Sequence, residues 1–162
     1  VNSRTVVIAN RHPRLRLDRR AVRRLFATLD AARDSFAIRQ PAFLTGELSV
    51  AFLTDAALAR LHADFLGDPT VTDVITFEGR PEFGLAGEIC VSADTAARFA
   101  REHDRDFSAE LTLYLVHGWL HLAGYDDLAP ARKRIMRRAE ATALRLLTHH
   151  AALPRFQLTT PR

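Results

Sequence analysis

The chain has 162 residues, which suits one hydrophobic core and falls short of two. Hydrophobic residues at 48% and charged residues at 26% exclude a disordered chain, and no apolar run is long enough to span a bilayer. The net charge of +4 conceals two basic flanks around an acidic middle, a pattern that fits a polyanionic partner such as nucleic acid as readily as it fits solvated helix faces.

The first element expected is a strand over Thr5–Ala9, a β-branched run. Asp18 then caps a helix to about Arg33, with Val22, Leu25, Phe26 and Leu29 on one face and arginines largely off it. Residues 46–52 read as a second strand. A short helix starting at Thr54 or Asp55 carries Leu58, Leu61 and Phe65, and Gly67-Asp68-Pro69 breaks it. Residues 73–77 and 88–92 are strand-like, with a loop rich in Gly, Pro and Glu between them. Helices are expected from Asp94 to His103, from Phe107 to about Ala123, and from about Ala129 to Thr148. Pro154 and Pro161 mark residues 149–162 as a loose tail behind a single domain over residues 1–148. The order implies an α+β (mixed α/β) fold, a small mixed sheet of about four strands covered by about five helices.

The flanks are sharply drawn. Residues 1–40 hold ten Arg against three Asp, and residues 128–162 hold eight basic residues against Glu140 alone. Residues 41–127 hold five Arg against fifteen Asp and Glu. Cys90, the sole cysteine, excludes an intramolecular disulfide and any multi-cysteine metal site. The first fifteen residues contain no signal-peptide core, so a cytoplasmic location is expected.

Chemistry concentrates in one segment, Tyr114-Leu-Val-His117-Gly-Trp-Leu-His121-Leu-Ala-Gly124-Tyr-Asp-Asp127. Its helix is apolar nearly all round, which marks it as buried. Two His four residues apart project from one face and can place two imidazole nitrogens on one metal, at Zn–N distances of about 2.0–2.1 Å. Gly124 is suited to a left-handed turn that doubles the chain back and brings an acid to the same metal. Register favours Asp127 as that acid, with Asp126 as the alternative ligand or an orienting residue behind one. Three protein ligands leave a fourth position open, as in catalytic zinc sites. The spacing matches metzincin peptidases, which need a Glu directly after the first His. That position is Gly118 here, which disfavours peptide hydrolysis.

The segment resembles the YbeY family of bacterial endoribonucleases, whose pattern is His-Gly-x-x-His-x-x-Gly-Tyr-Asp-His, reproduced here from His117 through Asp126. Thr72-Asp-Val-Ile-Thr-Phe77 and Gly87-Glu-Ile-Cys-Val-Ser92 resemble two strands of that family, and Met136 and Glu140 recur in its last helix. The resemblance implies one zinc per chain and cleavage of single-stranded RNA. It also implies a role in small-subunit ribosomal RNA maturation and ribosome quality control. Two positions depart from the pattern. The third His is Asp127, an anionic ligand expected to leave the zinc a poorer Lewis acid. An Arg of the family's Tyr-Arg-Gly segment, thought to serve at the active site, is Leu66. No general base is assignable, and the attacking group is either water or the RNA 2′-hydroxyl. Hydrolysis of another substrate, and a zinc-containing ribosome-biogenesis binding protein with little catalysis, are the alternative readings.

Overall fold

The computed structural model describes residues 4–67 and 72–161. Strand β1 spans Arg4–Asn10, and after a three-residue strand β2 (Leu15–Leu17) helix α1 covers Arg19–Ala31. Asp18 caps α1 by accepting a hydrogen bond from the Arg20 amide at 2.9 Å, which supplies a partner to one of the free N–H groups of its first turn. Strand β3 is Gly46–Leu53 and helix α2 is Asp55–Leu66, capped by Thr54 and ended by Gly67 at φ +69°. Asp68-Pro69, the remainder of the expected helix break, lies outside the described residues. Strands β4 (Val74–Arg80) and β5 (Leu85–Ser92) follow, then helices α3 (Ala93–Glu102), α4 (Phe107–Ala123) and α5 (Pro130–His149), and a last strand β6 (Phe156–Leu158).

The main sheet has the order β1-β3-β5-β4, with β1, β3 and β5 parallel and β4 antiparallel to β5. The architecture is α+β, with the mixed four-stranded sheet and five helices expected. Alternation along β3 sends Leu48, Val50 and Phe52 to one face, where they meet α1, α4 and α5 in the principal core. On the opposite face Leu53, Ile75 and Cys90 pack under Leu58 and Leu61 of α2. Burial pushes the Cys90 thiol up to about 12, with the charge of Glu88 adding to the shift.

Helix α4 crosses the principal core with Leu111, Leu115, Val116, Trp119 and Leu120 fully buried. Gly118 is where it meets the sheet: a Cβ there would lie 2.6 Å from Cγ2 of Ile89 on β5. Buried Asp30 of α1 locks the helix from the other side. It accepts from Nε1 of Trp119 at 3.0 Å and from Nε of Arg4 at 2.9 Å.

The expectation of a loose tail over residues 149–162 is corrected. Phe156–Leu158 pairs antiparallel with Leu15–Leu17, and Phe156 is buried against the Phe52 ring. The Phe156 amide donates to Oγ of Ser108 at 2.8 Å, and that hydroxyl donates to the Phe156 carbonyl at 3.1 Å. The aromatic side chain stabilises the pairing by removing apolar area from water, which three residues of ladder cannot do alone. The loop expected between β4 and β5 is also shorter than its composition suggests. Pairing continues through Glu78↔Gly87 and Arg80↔Leu85 into a tight connection at Pro81–Phe83.

Candidate metal centre

Helical geometry places His117 and His121 one turn apart on one face of α4. After His121 the helix ends on Gly124, whose φ of +111° no residue with a Cβ adopts comfortably. The Tyr125 amide donates back to the Leu120 carbonyl at 3.0 Å, closing the terminus and reversing the chain. The reversal brings Asp127 over the His pair.

The donor atoms of His117, His121 and Asp127 all lie within 4.8 Å of one another. Asp127 Oδ2 is 3.5 Å from His117 Nε2, and Oδ1 is 3.6 Å from His121 Nε2. The two Nε2 atoms are 2.9 Å apart. Ligands on a tetrahedral ion with bonds of about 2.0–2.1 Å are separated by roughly 3.3 Å, so the three atoms stand near the spacing such an ion requires. The donor set, two imidazoles and one carboxylate, is one that zinc accepts. All three side chains are partly exposed, which leaves an approach from solvent.

Asp126, the alternative, points elsewhere. Its Oδ2 accepts from Nη1 of Arg132 at 2.7 Å and its Oδ1 caps the Leu128 amide at 3.3 Å. Leu66 ends α2 with its side chain largely exposed.

Glu140 of α5 is the residue whose part in the site was not read from the sequence. Its Oε1 lies 2.8 Å from Nδ1 of His117. A carboxylate only accepts, so Nδ1 carries the hydrogen and Nε2 presents its lone pair toward His121 and Asp127. A signal was available: Glu140 is the lone acid in an otherwise basic stretch of 35 residues, 128–162. Burial lowers the His117 pKa, but the hydrogen bond and charge of Glu140, aided by Asp127, outweigh it and the net shift is upward. Burial and the neighbouring His117 hold His121 below its ordinary value, against the pull of Asp127.

Residues 7–148 match the family described as endoribonuclease YbeY. The chain belongs to that family. A curated relative from Protochlamydia amoebophila, named endoribonuclease YbeY, is 43% identical over 108 residues, covering 64% of this chain and 69% of the relative. One from an Anaeromyxobacter species, with the same name, is 40% identical over 144 residues, covering 87% and 71%. One from Chlamydia trachomatis is 40% identical over 117 residues, covering 68% and 73%. The solution structure of TM1509 from Thermotoga maritima superposes with a TM-score of 0.57 over 91% of this chain and 95% of that one. At 20% identity that likeness speaks for the fold alone. Among the described residues no helix is long and apolar enough to cross a membrane.

Proposed function

We propose that the protein is a zinc-dependent endoribonuclease that cleaves single-stranded RNA, with His117, His121 and Asp127 as the metal ligands. Membership in an endoribonuclease family supports the reaction class, and the convergence of three donor atoms at the end of α4 is the observation that carries the metal dependence. Small-subunit ribosomal RNA as the substrate, and the cytoplasm as the place of action, are inferred from the same family resemblance. The basic flanks are consistent with a polyanionic substrate.

When bound, such an ion polarises a phosphoryl oxygen and acidifies water. The chain's own residues prepare the place. Glu140 fixes the His117 tautomer and ring orientation, as a carboxylate behind a ligating imidazole does in other metal sites. Asp127 contributes a negative charge that offsets the ion. Position 118, where a peptidase of similar spacing carries its general base, has room for no side chain because Ile89 occupies the space. A side chain there would first have to displace Ile89, which argues against peptide hydrolysis on steric as well as chemical grounds.

The test is an assay on a single-stranded oligoribonucleotide with peptide and phosphomonoester substrates alongside. Endonucleolytic cleavage that is lost on chelation and restored by zinc is expected, with no turnover of the controls. Fully zinc-loaded protein that leaves RNA intact would overturn the reading.

A further inference from the structure

We propose that the cleft between Arg39 and Arg132 holds the nucleotide next to the scissile phosphate of single-stranded RNA, with Arg39 binding that nucleotide's phosphate. This rests on the endoribonuclease reading above. The cleft's floor is Gly124, Tyr125 and Asp126, the residues that join His121 to Asp127, and Ile135 of α5 forms part of its wall. The segment that lines it is thus the one that joins two of the candidate ligands.

Arg39 is held in position without using its charge. Its amide donates to the Ala123 carbonyl at 2.9 Å, tying the backbone to the end of α4. Its stem lies against Gly124, where a Cβ would come within 2.7 Å of the Arg39 Cβ. Gly124 thus serves two ends, the positive φ of the helix terminus and the close approach of this arginine. The Arg39 side chain is exposed, and among the described residues its guanidinium has no hydrogen-bond or ion-pair partner. Arg4, Arg14, Arg23 and Arg24 of the same flank bind Asp30, the Thr159 carbonyl, the Val6 carbonyl and the His150 carbonyl, and of the flank's other arginines Arg39 is the one that lines this cleft.

The charges in the cleft sum in favour of an anion. Among the described residues Asp126 is the only acid lining it, and Arg132 pairs with that carboxylate at 2.7 Å, which leaves Arg39 as the uncompensated charge. The remaining surface suits a base. Ile135 is 51% exposed, an unusual place for an isoleucine on a helix rich in arginine. The Tyr125 ring is fixed because its hydroxyl accepts from the Ala37 amide at 2.8 Å. A guanidinium for phosphate beside an apolar and aromatic wall for a base is the combination that single-strand binders use. It also supplies a cationic contact that Leu66 cannot.

The experiment measures binding of a 2′-O-methyl single-stranded oligoribonucleotide to the zinc-loaded protein across a salt series. Arg39→Gln is expected to flatten the plot of log affinity against log salt by about 0.7, the loss of one phosphate contact. Extrapolated from 1 M salt, that is a loss of about eightfold near 0.05 M. Arg39→Lys restores the slope. Ile135→Ser weakens binding with the slope unchanged, because a base contact releases no counterion. With cleavable RNA, Arg39→Gln raises KM by a similar factor at constant kcat. If the wild type cleaves RNA and the Arg39→Gln slope matches it, the subsite is wrong while the nuclease reading stands. A fall in kcat at constant KM would also overturn it, by placing Arg39 at the reacting phosphate. A wild type that neither binds nor cleaves RNA would remove both readings.

Discussion

Replacing Glu140 separates the orientation of the proposed metal ligands from their identity. The His117 Nδ1 to Glu140 Oε1 contact of 2.8 Å is short and partly buried, with side-chain exposures of 22% and 17%. A hydrogen bond to a charged group is worth about 1.5–3 kcal/mol and one between neutral groups about 0.5–1.5 kcal/mol. Glu140→Gln keeps an acceptor and loses the charge, a difference of about 1–1.5 kcal/mol, which is roughly tenfold in zinc dissociation constant. Glu140→Ala also frees the ring to rotate and is expected to weaken zinc nearer a hundredfold, the upper range for residues that support metal ligands. Competition titration against a chromophoric zinc chelator reads both values. Denaturant unfolding of the metal-free proteins checks that the fold is intact. Variants with zinc affinities within twofold of the wild type would refute the role given to Glu140.

Asp55 supplies a dependence on pH. Burial pushes its carboxyl up, but hydrogen bonds from Ser92, Thr95 and Arg98 outweigh this and hold it below its ordinary value of 3.8. Its contribution to stability is therefore full above that value and is lost as pH falls through the lower folded value. The stability gap between wild type and Asp55→Asn should narrow on acidification below about pH 4, and a gap that stays constant or widens as pH falls would contradict this. Phe156→Ala removes a buried ring and is expected to cost about 3–5 kcal/mol, roughly 10 °C in Tm by calorimetry. A shift under 2 °C would mean that the C-terminal strand adds nothing. Gly118→Ala forces a methyl into Ile89, at about 1–3 kcal/mol of overpacking against about 1 kcal/mol of helix propensity gained. Denaturant titration should show net destabilisation, and a more stable variant would show that the α4–β5 contact can spread at little cost.

What was legible in the sequence was local. The apolar circumference of residues 107–123 identified a buried helix, and the spacing of His117, His121 and Gly124 anticipated the turn that brings Asp127 back. The four strands of the main sheet were recognised to within a few residues, whereas β2 and β6 were not. Long-range partnership was not legible. Residues 156–158 hold only three strand positions between prolines, and their partners Leu15–Leu17 lie at the other end of the chain. Nothing in a three-residue window separates such a strand from a tail. The role of Glu140 depends on a contact between residues 23 apart in sequence, on two helices whose packing no periodicity specifies. The choice between Asp126 and Asp127 likewise rested on register, and the Asp126–Arg132 pair explains physically why only one of them turns toward the His pair.

The central claim is that His117, His121 and Asp127 hold a catalytic zinc ion. Elemental analysis of protein purified without added metal tests it most directly, with the His117→Ala, His121→Ala double variant measured beside the wild type. Close to one zinc per chain in the wild type and almost none in the folded variant is the expected result. Equal zinc content in the two proteins would place the metal elsewhere and contradict the account.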